Sequence, residues 1–358
     1  MNQTRINRVL DAMKKMGVSQ MLITDPMSIY YLTEVFVHPG ERFYALYLRE
    51  DGEHAFFLNK LFVIPAGVEI KKVWYSYTDA LTEIIAENLD KSSVLGVDKD
   101  LKARFLLPLM EINAAAGFVN TSYAVDITRA CKDEAEQEKM RAVSAINDQA
   151  MGEFKKLIHA GVTEKEVANQ LEQIYKNLGA DGFSFHPIVS FGANAADPHH
   201  MPDDTVLKEG DCVLFDVGCI KDGYCADMTR TFYYKYVTEE QRRVYEIVCA
   251  ANEAAEAVIK PGMILKEIDK TARDLISKEG YGPNFTHRLG HFIGLDVHEY
   301  GDVSAVSNWM ASPGMIFSVE PGIYLAGNTG VRVEDLVLVT EDGCERLNNY
   351  TKELEIIE

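Results

Sequence analysis

Along residues 1–127 the spacing of apolar positions switches repeatedly between helical and strand periods. Residues 5–16 carry their apolar side chains on one helical face, and QMLIT (20–24) follows as a short apolar run stopped by Asp25-Pro26. FYALYLRE and EHAFFLNK flank Asp51-Gly52, a good hairpin signal. Residues 78–90 return to helical spacing, and VLGVD (94–98) is a further strand. This alternation predicts an α/β domain built on a mixed sheet. Near Ile127–Asp133 the pattern gives way to a long charged helix, which places a boundary between residues 127 and 128.

Residues 128–358 repeat their own plan. A helix over about 134–160 carries Met140, Val143, Ala150, Phe154, Leu157 and Ile158 and ends at Gly161. Thr163 and Glu166 form a capping box for a second helix, with Val167, Leu171, Ile174 and Leu178 on one face and Gly179 at its end. The plan then recurs. Thr238 and Gln241 cap a helix reaching Lys260, Pro261-Gly262 interrupts, and a further helix carries Ile268, Ala272, Leu275 and Ile276 before Gly280. A constant offset of 101 aligns Gly161 with Gly262, Lys165-Glu166 with Lys266-Glu267, Val167 with Ile268 and Gly179 with Gly280. In the strand-rich segment after each pair, Gly210 precedes Asp216 and Gly218, and Gly314 precedes Glu320 and Gly322 at the same spacings. An acid at equivalent places predicts a duplicated helix-helix-hairpin unit, an α+β domain with a site between its halves.

The acids themselves point to cations. Asp216 stands inside VLFDVG and Asp227 opens ADMTRTFYY, on either side of Lys221-Asp222-Gly223. Aspartate within a Val-Leu-Phe run is costly unless paired or metal-bound. In a hairpin with any even-length loop the two face the same way, within about 5–8 Å. Facing carboxylates repel and raise one another's pKa unless cations lie between them. The plainer alternative is one turn residue and one surface acid. Glu320 and Glu334 flank Gly327-Asn328-Thr329-Gly330, but their even sum demands an odd-length loop or a bulge, for which Pro321-Gly322 is a candidate. By themselves these two are rim residues or ligands. His287, His291 and His298 cluster in FTHRLGHFIGLDVHEY, and AADPHH offers His199 or its neighbour His200.

Composition narrows the classes. A 358-residue chain, 47% hydrophobic and 25% charged, forms cores, which excludes disorder and suits two domains. Its 36 Lys and Arg against 55 Asp and Glu give −19, with no basic block, so no nucleic-acid partner is expected. No 18-residue apolar stretch occurs, and MNQTRINRVLDAMKKMG lacks a signal-peptide core, so no membrane partner and a cytoplasmic location are expected. The cysteines, without a CxxC pair, read as reduced thiols; Cys219 and Cys225 flank the first acidic hairpin, where burial is the plain role. Four carboxylates and an imidazole suit Mn²⁺ or Co²⁺ better than a Cys/His zinc finger. Two divalent ions against four carboxylates balance to zero, so such a pair can be buried with a bridging hydroxide at neutral pH.

FDVG, ADMTRT, LGHFIGLDVHE, SVEPGIY and VRVED, in this order, resemble the motifs of the pita-bread metallopeptidases: methionine aminopeptidase, aminopeptidase P and prolidase. YLTEVFVHPGER extends the resemblance to a creatinase/prolidase-type N-terminal domain, so it covers the whole chain. It implies residues 1–127 as that domain and 128–358 as the pita-bread catalytic domain with two related halves. It also implies metal ligands at Asp216, Asp227, His291, Glu320 and Glu334, holding two divalent ions, Mn²⁺ or Co²⁺ foremost, with Zn²⁺ compatible. His199, preferred over His200, and His298 would contact the substrate carbonyl or tetrahedral intermediate, and Glu320 would double as proton shuttle. Arg332 and His287 fall at near-substrate positions, while Arg288 stands where many relatives have Gly, which puts pocket shape in question.

The implied reaction is dinuclear hydrolysis of Xaa-Pro bonds. The two-domain build disfavours methionine aminopeptidase, and the intact ligand set disfavours creatinase. The moderate length favours Xaa-Pro dipeptidase (prolidase) over aminopeptidase P, which trims longer peptides. Arg332 with a histidine would neutralise the free proline carboxylate. A creatinase-like C–N hydrolase and a non-catalytic binding module are the remaining classes. A homodimer is implied, with His38 of FVHPGER a candidate to reach a partner's site, or else an ordinary loop histidine.

Overall fold

The computed structural model describes residues 1–358, which divide into two compact units, Met1–Arg129 and Ala130–Glu358. In the first, α1 (Gln3–Lys15) buries Ile6, Val9 and Met13, and β1 (Gln20–Ile23) ends where Asp25 caps α2 (Pro26–Thr33). There follow β2 (Ala45–Arg49), β3 (Ala55–Asn59), β4 (Lys71–Tyr75), α3 (Leu81–Asn88), β5 (Val94–Val97), α4 (Ala103–Glu111), β6 (Gly117–Asn120) and α5 (Ser122–Ala130). The six strands form one sheet, ordered β4-β3-β2-β1-β5-β6. β1–β2 and β2–β3 are antiparallel, while β3–β4, β1–β5 and β5–β6 are parallel. The expected mixed α/β sheet is therefore present, with its core between Leu22, Tyr47, Phe57 and Leu95 and the helices α3 and α4.

The second unit opens with α6 (Glu134–Phe154) and α7 (Glu164–Asn177), both started by complete capping boxes, at Asp133/Glu136 and Thr163/Glu166. α6 is shorter than its periodicity suggests: it tightens into a 3₁₀ turn at Lys155–Leu157, and Ile158 is already extended although buried. Apolar spacing records which face is buried, not where the last turn tightens. Then come β7 (Gly182–Phe183), β8 (Ile188–Phe191), β9 (Cys212–Val217), β10 (Cys219–Lys221), β11 (Tyr224–Cys225) and β12 (Met228–Tyr234). The second half repeats the plan with α8 (Glu239–Val258) and α9 (Leu265–Lys278). Its strands are β13 (Gly290–Phe292), β14 (Glu299–Val303), β15 (Ile316–Val319), β16 (Gly322–Leu325), β17 (Thr329–Arg332), β18 (Asp335–Val339) and β19 (Cys344–Arg346), with β20 (Ile356–Ile357) at the C-terminus.

Two sheets dominate this unit, β20-β12-β9-β8 and β14-β13-β15-β18-β19. Each half lays its long helix behind its acidic strand and ties it with a buried asparagine. Asn147 of α6 donates to the Val217 carbonyl at 3.0 Å, and Asn252 of α8 donates to the Val319 carbonyl at 2.8 Å. These carbonyls are chain neighbours of Asp216 and Glu320. Buried amides pay their desolvation only when bonded, so the pair fixes helix against strand in both halves. No helix is long and apolar enough to cross a membrane.

Candidate metal centre

Register decides where the acids point. β9 and β12 pair with Asp216 opposite Thr229, and the same register continues through β10 and β11, where Ile220 faces Cys225. The loop is Asp222-Gly223, both at positive φ (49° and 81°), as a two-residue hairpin turn requires. Asp227 therefore lies diagonal to Asp216 on one face. In the second half, Val319 faces Asp335 and Gly322 faces Arg332, so Glu320 and Glu334 stand directly opposite. The connection that achieves this is three residues, Ala326-Gly327-Asn328, between Leu325 and Thr329. An odd loop suffices, and no bulge at Pro321-Gly322 is needed.

The four acids and His291 converge on a cavity of about 550 Å³ that is also lined by His199, His287, His298, Arg288 and Arg332 and walled by Phe185, Ile188, Pro198 and Val297. Ligand-type atoms of Asp227, His291 and Glu334 lie within 4.8 Å of one another. His291 Nε2 is 3.5 Å from Asp227 Oδ2 and 3.6 Å from Glu320 Oε1. Its Nδ1 faces the Phe292 carbonyl at 3.2 Å; a carbonyl only accepts, so Nδ1 carries the proton and Nε2 presents its lone pair to the acids. Close backbone approach makes this possible: a Cβ on Gly290 would lie 1.8 Å from the Ser318 carbonyl oxygen, and one on Gly218 would lie 2.0 Å from that of Ala226.

The electrostatics ask for cations. Burial, then Asp216, pushes the Asp227 carboxyl far above its ordinary range; burial, then Asp227 and Glu320, does the same to Glu334. Glu320 is pushed up to about 7, chiefly by burial. Asp216 Oδ1 and Asp227 Oδ1 are buried without a hydrogen-bond partner. Orphaned carboxylate oxygens beside an imidazole lone pair fit a set of oxygen and nitrogen ligands for divalent ions. Burial also holds His291 below its ordinary value, in the neutral form a ligand needs.

Around this set runs a network with a fixed direction. Arg332 donates through Nη2 to Asp216 Oδ2 at 2.5 Å, through Nε to Thr229 Oγ1 at 3.0 Å and through Nη1 to the Tyr324 hydroxyl at 2.8 Å. The Thr229 hydroxyl in turn donates to Glu334 Oε2 at 2.6 Å. His287 Nδ1 faces the Arg288 carbonyl at 2.7 Å and must donate, so its Nε2 accepts from Tyr324 at 2.8 Å. Burial and Arg332 lower His287 to about 3, consistent with a neutral ring. Both of its nitrogens are thus engaged within the cavity wall.

His298 stacks edge-on to His291, ring centroids 4.2 Å apart, and burial, then His291, lowers it to about 4. Its loop is held from behind: the next residue, Glu299, accepts from Lys132 Nζ at 2.9 Å and from the Leu295 amide at 3.1 Å, all buried. His199 is exposed on the cavity wall, whereas His200 turns away and bonds Glu164 at 2.7 Å. His38 belongs to the N-terminal unit, is exposed, and meets Phe36 edge-on at 4.7 Å. Thr229 and Tyr324 escaped the sequence reading. Thr229 shares the face of Asp227 by strand alternation, which was available as a signal; nothing in the sequence singles out Tyr324.

Comparison with known proteins places this geometry in a family. Residues 138–341 match the model of Metallopeptidase family M24, and residues 5–131 match the creatinase/prolidase N-terminal domain. An uncharacterized peptidase of Staphylococcus aureus is 37% identical over 98% of this chain and 100% of its own length. Among solved structures, prolidase from Thermococcus sibiricus superposes with a TM-score of 0.89 at 33% identity, covering 99% of both chains. Xaa-Pro dipeptidase from Bacillus anthracis does so at 0.88 and 30%, again over 99% of both. With its creatinase/prolidase N-terminal domain and its duplicated pita-bread domain, the chain belongs to metallopeptidase family M24.

Proposed function

We propose that this enzyme hydrolyses Xaa-Pro bonds, preferring dipeptides, with two divalent ions held by Asp216, Asp227, His291, Glu320 and Glu334. The observation that carries the reading is the convergence of four carboxylates and one correctly tautomerised imidazole, two acid oxygens still orphaned, in a single cavity. Likeness over 99% of both chains to structures described as a prolidase and an Xaa-Pro dipeptidase supports the substrate class. Mn²⁺ or Co²⁺ suits this donor set.

Divalent ions bound there would supply Lewis acidity, acidifying a water and polarising the scissile carbonyl. The protein groups do the rest. His298 and His199, on the cavity wall, donate hydrogen bonds to the developing oxyanion, worth about 2.7–4 kcal/mol per donor in other hydrolases. Glu320 takes the proton of the attacking water and returns it to the leaving nitrogen. A proline nitrogen lacks an N–H in the peptide and must be protonated to depart, so this return is obligatory. Arg332, the expected partner of the substrate carboxylate, already gives three of its donors to Asp216, Thr229 and Tyr324. Arg288, half-exposed on the same cavity with Asp302 at 3.9 Å, is the freer guanidinium, and we assign the carboxylate to it.

Cleavage of Ala-Pro and Ala-Pro-Ala is to be compared in Mn²⁺ and Co²⁺. The expected result is a higher kcat/KM for Ala-Pro, and a further loss for Ala-Pro alone in Arg288→Ala. Preference for Ala-Pro-Ala would make the enzyme an aminopeptidase P, and inertness toward both peptides would refute the reading.

A further inference from the structure

A loop side chain is only as well placed as the backbone beneath it. We propose that Glu164 is a positioning residue for His199, acting through a buried clasp around which residues 191–205 are wound. The inference rests on the role given to His199 above.

Glu164 opens α7 and is fully buried. A carboxylate can sit there only if its lone pairs are filled. Oε1 accepts from the Phe191 amide at 2.7 Å and Asn194 Nδ2 at 3.0 Å. Oε2 accepts from His200 Nε2 at 2.7 Å and the Asp203 amide at 3.0 Å. One side chain thus ties the loop at its entry, its middle and its exit. Asn194 also donates to Thr205 Oγ1 at 3.0 Å, and the Glu164 and Lys165 amides bond the Thr205 and Asp203 carbonyls. From the opposite side β17 presses on the loop: a Cβ on Gly330 would lie 1.7 Å from the Ala195 carbonyl oxygen.

Glu164, His200 and Asp203 also have ligand-type atoms within 4.8 Å of one another. Four protein donors already fill the Glu164 carboxylate, which makes the trio a clasp and not an ion site. The adjacent histidines divide the work. His200 is drawn to Glu164, so His199, whose own amide bonds Asp197 Oδ1 at 3.0 Å, projects to the cavity wall.

The test is a double-mutant cycle on the full-length Mn²⁺ enzyme with Ala-Pro, using His199→Ala, Glu164→Gln and the double variant, with bound Mn²⁺ measured in each. Glu164→Gln sets an NH₂ against two of the four donors and should lower kcat on the order of 100-fold, with KM changed less than about threefold. Bound Mn²⁺ should be unchanged, and the double variant should be scarcely slower than His199→Ala alone. A merely structural role predicts multiplying losses, and that result overturns the clasp. If His199→Ala retains full kcat, the role of His199 falls first and the inference with it. Should Glu164→Gln not fold, His200→Ala, which removes one bond at a partly exposed site, enters the same cycle, with the same non-additivity expected and the same additivity fatal.

Discussion

Gly290→Ala tests the geometry of the metal centre without touching a ligand. A Cβ there would sit 1.8 Å from the Ser318 carbonyl oxygen and 2.7 Å from its carbon, where real contacts stay beyond 3.0 Å. β13 must therefore move away from β15 by about 1.2 Å, and both clashing atoms are backbone, so no rotamer relieves it. The shift strains the Phe292–Phe317 pairing and the bond from the His291 amide to Ser318 Oγ at 3.0 Å. Overpacking costs about 1–3 kcal/mol, and an unsatisfied buried amide about 1–3 more. A loss of about 2–6 kcal/mol is expected, a large share of the roughly 5–15 kcal/mol that stabilises a domain. The displacement also carries His291 Nε2 away from Glu320 Oε1, now 3.6 Å apart. Urea unfolding and calorimetric Mn²⁺ titration should both register the change. A variant within about 1 kcal/mol of wild type, with an unchanged Mn²⁺ isotherm, would refute the close packing of β13 on β15 as the device that sets His291.

Asp227→Asn should lower Mn²⁺ affinity by more than about 100-fold, the upper range for a supporting residue, while circular dichroism stays native; metal analysis after dialysis reads this directly. Thr229→Val removes the donor to Glu334 and an acceptor of Arg332, so Mn²⁺ affinity should fall about 10–100-fold, measured by the same titration. Lys132→Met leaves Glu299 buried without its cation, at about 3–5 kcal/mol of stability; an unchanged urea midpoint would contradict the ion pair as the anchor of the His298 loop. Glu256, partly buried beside Asp335 and bonded to Lys352, is raised from 4.5 to about 7, first by burial and then by Asp335. A raised carboxyl pKa favours the folded state in full below about 4.5 and loses that contribution as pH rises through about 7. The Tm advantage of wild type over Glu256→Gln should therefore shrink between about pH 5 and pH 8, and a constant difference would show that Glu256 does not titrate there.

Local pattern and arithmetic carry much of this protein. Helix starts were legible because a capping box is a four-residue device, and Thr163/Glu166 and Thr238/Gln241 close in the structure as their spacing says. The internal duplication and the mixed N-terminal sheet were legible because apolar period and glycine placement repeat. That Asp216 and Asp227 share a face follows from strand parity with the Asp222-Gly223 turn. Parity alone left Glu320 and Glu334 open, because the answer depends on loop length, and only the folded chain selects the three-residue connection that sets them opposite.

Choices among equivalent groups belonged to tertiary structure. His199 and His200 are chemically identical neighbours, and a buried carboxylate 36 residues earlier takes one of them. Arg332 has the chemistry to hold a substrate carboxylate, and the folded chain also brings Asp216, Thr229 and Tyr324 from other strands onto three of its donors. Periodicity and spacing record what each residue prefers of its near neighbours along the chain. Which donor meets which acceptor across a hundred residues is decided by desolvation in the assembled core, where every buried charge must find its partner.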